Sequence, residues 1–358
     1  MDGMMKVLIA MSGGVDSSVA AKLLCDEGCE CIGCTMKLYD NCDAGLPRGR
    51  TCCSLDDVED ARSVAFSLGM RYYVFNFKDD FREKVIKKFA SGYLRGQTPN
   101  PCIDCNRYMK FDKLLERAKL LGCGKIATGH YARIEFDGRK YRLKKAIDKS
   151  KDQSYVLYML TQEQLAHTIF PLGSLHKTDT RAIADAADLS SARKPDSQDI
   201  CFVPDGDYAA AIERLTGEKA PCGDFIDASG KILGTHRGIT HYTVGQHRGL
   251  GLSLPERRYV CGIDAESGTV TLGGSDELYS STAEVRDFNW ISGETPAEPI
   301  RCTAKIRYRQ PEQPATAIAH KGGSITIQFD SPQRAVTPGQ AAVLYDGDTV
   351  LGGGEIVR

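Results

Sequence analysis

No stretch of the 358 residues is both long and uncharged enough to cross a bilayer. Met1-Asp2-Gly3 also lacks the basic-then-apolar order of a secretory leader, so the expectation is a cytoplasmic protein without a membrane segment. An excess of one charge is missing too. Against 46 Lys and Arg stand 47 Asp and Glu, a formal net charge of −1, so nothing draws the whole chain to nucleic acid and any RNA contact must come from local basic patches. Internal repeats and low-complexity segments are absent. What remains, 42% hydrophobic and 26% charged residues over this length, suits a globular chain of two or three domains.

The N-terminal loop lacks something more specific. Val7 to Ala10 reads as a buried parallel strand and Ser17 to Leu24 as the helix after it, with Gly13 and Gly14 between. Two glycines let backbone N–H groups approach an anion, and the helix start points its positive end at the same spot, so a phosphate suits the turn. A Walker A loop would carry Lys before its Ser or Thr; this loop has Asp16. A carboxylate beside phosphates implies a bridging divalent cation, Mg²⁺ above all. Ser12-Gly13-Gly14-Val15-Asp16-Ser17 resembles the SGGxDS loop of the ATP pyrophosphatase (PP-loop) families, which adenylate an oxygen and release pyrophosphate.

Of 14 cysteines, ten (Cys25, Cys29, Cys31, Cys34, Cys42, Cys52, Cys53, Cys102, Cys105 and Cys123) fall in the first 123 residues. In an α/β chain without a leader, thiols, catalysis or a metal are better readings than a disulfide frame. Cys52 and Cys53 read equally as redox-active or structural.

Along the chain, Glu30 to Met36 reads as the second strand, its carboxyl end at the nucleotide crevice, with Met36 near an adenine or in the core. Ser54 caps a helix to Leu68, Arg71 to Phe77 is a strand, and Phe81 to Leu94 an amphipathic helix. Pro99 and Pro101 predict an extended approach to Cys102 and Cys105, with helix resuming near Lys110 and running to Leu121. On that reading Asp104 lies out of phase with the thiols. Lys125 to Thr128 is a strand with Gly129 and His130 at its carboxyl end. Ile134 to Ile147 alternates around Asp137-Gly138 as a hairpin, whose Arg139, Lys140, Arg142, Lys144 and Lys145 form either a solvated face or a phosphate ridge. Lys151 opens a helix, Leu165 to Asp188 is helical, and His167 and His176 receive no role. Alternating strands and helices predict an α/β doubly wound parallel sheet over residues 1–204. Short strands with turn glycines then predict a small central β-rich domain at 205–280 and a C-terminal β-barrel at 281–358.

The loop at 12–17, Thr98-Pro99-Asn100-Pro101, Cys105-Asn106 with Lys110-Phe111, Ala127 to Ala132, Lys151 to Tyr155, Ser197 to Phe202, Tyr242 to His247 and Leu351 to Gly354 occur in the order found in tRNA-specific 2-thiouridylases. The chain resembles that family over nearly its whole length. The resemblance implies 2-thiolation of the wobble uridine of tRNAs for lysine, glutamate and glutamine. It implies ATP held at Ala10, Met11, Ser12, Gly13, Gly14, Val15, Asp16, Ser17, Met36 and Gly129. It makes Cys201 the persulfide carrier and Cys105 the nucleophile, joined in a transient disulfide. It gives tRNA to Asn100, Pro101, Cys102, His130, Lys151, Asp152, Gln153, Arg307, Tyr308 and Gln340, and implies a monomer fed by a sulfur-relay protein or a cysteine desulfurase.

The chemistry agrees, because the C2 oxygen of uracil is a poor leaving group until adenylated and a persulfide is a usual carrier of reactive sulfur. The wobble base must also be flipped from its stack. Arg307 and Tyr308 offer a phosphate contact and a stacking face, or are ordinary surface residues. One departure stands out. Where the best-known members have Asp, this chain has Cys102, so Cys102, Cys105 and Cys201 offer three thiolates and a [4Fe–4S] cluster becomes the rival to the persulfide relay, with three-Cys zinc a weaker third. Small-molecule adenylating synthetases of the argininosuccinate or GMP synthetase kind share the first loop but need no thiols. A non-catalytic RNA-binding protein would not need an intact glycine turn.

Overall fold

The computed structural model describes residues 4–40, 55–195, 200–203 and 205–357. The expected N-cap Ser54, the pair Cys52-Cys53 and the polar run 196–199 lie outside the described residues.

Apolar β1 (Lys6–Ala10) is flanked by β2 (Glu30–Lys37), β3 (Arg71–Asn76), β4 (Lys125–Ala127) and β7 (Thr168–Ile169) in the parallel order β3-β2-β1-β4-β7. Strand order reverses between β1 and β4, so their carboxyl ends diverge into a crevice. Helices α1 (Val15–Asp26) and α2 (Leu55–Ser67) cover one face. The other is covered by α5 (Pro101–Asp104), a π-helix (Cys105–Lys113) and α6 (Leu114–Leu120), which follow one another directly. The doubly wound sheet is as expected.

Three local readings are corrected. The segment after Pro99 does not stay extended: Pro101 takes the first helical position, where its missing N–H costs nothing, and Asn100 accepts from the Cys102 N–H (3.1 Å), so helix begins before the thiols. The stretch Leu165 to Asp188 is not one helix but α7 (Gln162–Ala166), the short β7 and α8 (Lys177–Ala186), interrupted around Pro171 and Gly173. Lys151 opens a turn leading into a 3₁₀ segment (Ser154–Leu157).

The central β-rich unit holds β8 (Gly223–Ile226), β9 (Ile232–His236), β10 (Tyr259–Asp264) and β11 (Thr269–Gly273), preceded by a helix the sequence reading omitted, α9 (Tyr208–Thr216). Strands β12 (Tyr279–Trp290), β13 (Ile300–Lys305), β14 (Gln313–Ala319), β15 (Ile325–Arg334), β16 (Ala341–Asp346) and β17 (Thr349–Ile356) pair in the order β12-β15-β14-β13-β16-β17. A β12–β17 pairing closes them into a barrel.

The hairpin β5 (Ala132–Phe136) and β6 (Tyr141–Lys145) joins that barrel, with Lys144 opposite Thr349. Four of its five basic side chains are ion-paired: Lys140 with Glu294 (2.7 Å), Arg142 with Asp137 (2.7 Å), Lys144 with Glu135 (3.0 Å) and Lys145 with Glu312 (2.7 Å). That favours the solvated face over the phosphate ridge.

One core runs from Leu8 and Ile32 of the sheet through Tyr155 and Tyr158 to Val343, Tyr345 and Val350 of the barrel. The Tyr155 hydroxyl donates to Ala341 O (2.8 Å), and Asn289 donates to Tyr158 O (2.7 Å). Deleting residues beyond 280 therefore strips a core rather than an appendage. A fragment 1–280 should lose the cooperative thermal melt of the intact chain, read by circular dichroism; a melt retained in full would show that the sheet domain is independent.

Candidate active site

Gly14 caps α1 with no side-chain hydrogen bond to the first turn, leaving those N–H groups to a ligand. Ser17 and Ser18 donate to Gly14 O (3.1 and 3.0 Å), and Ser12 N donates to Ser17 Oγ (3.2 Å), which fixes the turn from within. Both close approaches require glycine. At Gly13 (φ +74°) a Cβ would lie 2.4 Å from Asp57 O; at Gly129 it would lie 2.8 Å from the Asp16 carbonyl carbon and the Ser17 nitrogen.

A cavity of about 380 Å³ opens outside the carboxyl ends of β1, β2 and β4. From the predicted nucleotide set it is lined by Ala10, Met11, Ser12, Asp16, Ser17, Met36 and Gly129; from the predicted RNA set by Pro101, Cys102, His130 and Gln153; and by both sulfur residues, Cys105 and Cys201. Gly13, Gly14 and Val15 complete the turn without forming the wall, and the Val15 side chain is buried in the core.

The thiols arrive by two routes. Cys102 and Cys105, three apart at a helix start, share a face; Cys102 is exposed and Cys105 half-buried. Asp104 faces elsewhere. It is buried against Lys88 (2.8 Å) in a smaller cavity of about 40 Å³ that it shares with Asn100 and, from the barrel, Asp287 and Glu355; burial raises its carboxyl above the ordinary range despite that cation. Cys201 is placed by its neighbours. Phe202 is buried edge-on against Phe81 and Phe89 (5.7 and 5.4 Å between ring centres), and the Tyr39 hydroxyl donates to Cys201 O (2.7 Å). Away from the cavity, burial raises the thiols of Cys25, Cys29, Cys31, Cys34 and Cys123, which makes them poor nucleophiles.

Asp16 has partners the sequence reading missed. Lys177, at the start of α8, places Nζ 2.6 Å from Asp16 Oδ1, and the Tyr131 hydroxyl donates to the same oxygen (2.9 Å). Both bonds fall on Oδ1, so Oδ2 suits a Mg²⁺ that would also bind phosphate oxygens. In sequence Lys177 falls inside a stretch read as one helix, where a charged residue is indistinguishable from a solvated one.

His130 is buried, bonded through Nδ1 to Thr128 Oγ1 (2.7 Å) and facing Lys110 Nζ through Nε2 (3.4 Å). Burial, and then the Lys110 charge, push its pKa well below the usual range, so it is a neutral imidazole here. Gln153 accepts from Tyr131 N (2.9 Å).

Other predicted RNA residues are occupied elsewhere. Asp152 accepts from Ala146 N (2.9 Å) and Ser154 Oγ (2.7 Å), within the turn that also carries half-buried Lys151. The half-buried Arg307 guanidinium donates to Val244 O (3.0 Å), Ala335 O (3.2 Å) and Thr337 Oγ1 (2.5 Å), bracing the central unit against the barrel. Tyr308 is exposed and donates to Asp152 O (3.3 Å), and Gln340 donates to Thr98 O (2.6 Å), holding the loop that leads to the thiols. Among the described residues no three His, Cys, Asp or Glu side chains are gathered so as to hold a metal ion. No described helix is long and apolar enough to cross a membrane.

Three family models match consecutive segments: a tRNA methyl transferase HUP domain over residues 5–205, a tRNA methyl transferase PRC-barrel domain over 211–274 and an aminomethyltransferase beta-barrel domain over 280–356. The tRNA-specific 2-thiouridylase MnmA of Acetivibrio thermocellus is 52% identical over 98% of this chain and 99% of its own length. A second relative of that name, from Clostridioides difficile, is 48% identical over 99% and 98%. The NMN synthetase from Francisella tularensis aligns at 16% identity and a TM-score of 0.35, covering 61% of this chain and 79% of that one. With full-length identity of this order to relatives so named, the chain belongs to the tRNA-specific 2-thiouridylase family of enzymes.

Proposed function

We propose that this chain replaces the C2 oxygen of a tRNA wobble uridine with sulfur, using ATP. One observation carries the reading: Ser12, Asp16 and Ser17 of the glycine loop and both Cys105 and Cys201, distant in sequence, line one cavity. A methyl transferase, as two of the model descriptions read, needs no pyrophosphate turn, and an adenylating synthetase for small molecules needs no paired thiols.

The phosphates of ATP lie on the N–H groups of Gly13, Gly14 and the first turn of α1. Ala10 to Ser12, Ser17, Met36 and Gly129 enclose the rest of the nucleotide. Asp16 would hold the Mg²⁺, which neutralises phosphate charge when bound. The C2 oxygen, presented by a flipped uridine between Asn100 to Cys102 and Gln153, attacks the α-phosphorus, and the bond to pyrophosphate breaks. The thiolate of Cys105 then attacks the inner sulfur of a Cys201 persulfide; a Cys105–Cys201 disulfide forms and hydrosulfide leaves. Hydrosulfide adds to C2, and the C2–O bond breaks with its electron pair going to AMP. A dithiol reductant restores both thiols. No step is routed through a [4Fe–4S] cluster.

The tRNAs are those for lysine, glutamate and glutamine. The chain acts as a cytoplasmic monomer, with a cysteine desulfurase or relay protein loading Cys201. Incubated with a tRNA transcript, ATP, Mg²⁺ and a persulfide donor, the protein should yield one AMP and one pyrophosphate per sulfur incorporated. Release of ADP, or RNA without sulfur, contradicts the reading.

A further inference from the structure

In an α-helix a residue five positions on lies roughly 140° around the axis, so Cys105 and Lys110 would face different ways. From Cys105 to Lys113 this helix is instead wound as a π-helix, whose i→i+5 bonding turns residue 110 back toward the side of residue 105. Both line the cavity. The wide turn is held by its surroundings: Asn106 donates to Val156 O (3.0 Å), and Met109 and Phe111 are fully buried. Rare π turns cluster at functional sites because they re-aim a side chain at the expense of regular bonding.

Among the described residues Lys110 is the one Lys or Arg on this wall, and Asp16, which is engaged by Lys177, is the one carboxylate. Lys110 is half-buried, and the neutral imidazole of His130 accepts from its Nζ at 3.4 Å. His130 follows Gly129, which packs on the backbone of Asp16 and Ser17, so Lys110 shares one cavity wall with the nucleotide loop and Cys105.

We infer that Lys110 is a catalytic residue of the sulfur-transfer step, its ammonium stabilising the phosphate of AMP as that group leaves C2. The inference rests on the thiolation reading. When sulfur adds to C2 and the C2–O bond breaks, the electron pair settles on the departing phosphate oxygen, which gains a full negative charge. A fixed cation in a partly enclosed cavity stabilises that charge more than it stabilises the adenylated base, as catalysis requires. Cys105 on the same face keeps the sulfur source beside the departing group. Removing one such donor typically costs about 10²–10³-fold in rate.

The test is a single-turnover measurement on the full-length protein with tRNA transcript, Mg²⁺ and ATP labelled on the α-phosphate, first without a sulfur source and then with sodium hydrosulfide. In Lys110→Ala, adenylated RNA should form at close to the wild-type rate and persist, with conversion to thiolated RNA slowed about 10²–10³-fold. Added methylammonium should restore part of that conversion, and Lys110→Arg should retain more activity than Lys110→Ala. A residue that only packs against His130 would not answer to an added amine. Conversion within about threefold of wild type in Lys110→Ala overturns the inference, as does a Lys110→Ala defect that methylammonium leaves unchanged. Should Lys110→Ala fail to fold, Lys110→Arg decides: slowed conversion with intact adenylation supports the role, and slowed adenylation refutes it. Failure of the wild-type protein to form adenylated RNA would refute the thiolation reading itself, a separate outcome.

Discussion

Cys201→Ser should abolish sulfur incorporation from a persulfide donor, by at least ~10³-fold, while adenylation of the RNA proceeds. The hydroxyl cannot carry a sulfane sulfur, yet the swap is small and half-buried, and Phe202 still anchors the loop between Phe81 and Phe89. Cys105→Ser should arrest one step later, leaving sulfur loaded on Cys201. Mass spectrometry of the two variants after a single turnover distinguishes them: a persulfide on Cys201 in Cys105→Ser, and none at that position in Cys201→Ser. Equal loading on Cys105 in the second variant would reverse the two roles.

The second large effect is expected at the other end of the cavity. Asp16→Asn removes the carboxylate that suits Mg²⁺ while keeping shape and a hydrogen-bonding oxygen, so pyrophosphate release should fall on the order of 10²–10³-fold. Lys177→Met acts through Asp16. It leaves a partly buried carboxylate without its ammonium at 2.6 Å, though still bonded by Tyr131, so the expected loss is smaller, about tenfold. It should appear mainly as a changed Mg²⁺ concentration dependence. If Lys177→Met alters activity without altering that dependence, the lysine serves the nucleotide directly and not through Asp16.

Much of the nucleotide-binding layer was legible because parallel strands and their helices announce themselves locally. The apolar run of β1, the two glycines and the start of α1 are neighbours in sequence, and their geometry follows from backbone sterics. The approach to Cys102 was misread because a Pro-x-Pro run is extended in isolation, whereas Asn100 as cap and Pro101 at the first helical position start a helix. That single change puts Cys102 and Cys105 on one face and turns Asp104 toward Lys88. The π winding from Cys105 had no sequence signature; it depends on where Asn106, Met109 and Phe111 find partners. Arg307 and Gln340 stood in the RNA set, and only the packing of the barrel on the central unit and on the sheet domain shows that backbone carbonyls occupy them. Lys177 was invisible for the same reason: its partner is 161 positions away.

The most direct test of a shared cavity is to follow one turnover of persulfide-loaded protein with ATP and tRNA in the absence of reductant, then digest it and map the linked cysteines. The account predicts a peptide pair joined through residues 105 and 201, accumulating one for one with thiolated RNA and AMP. Thiolated RNA appearing in full while those two positions remain unlinked would contradict it.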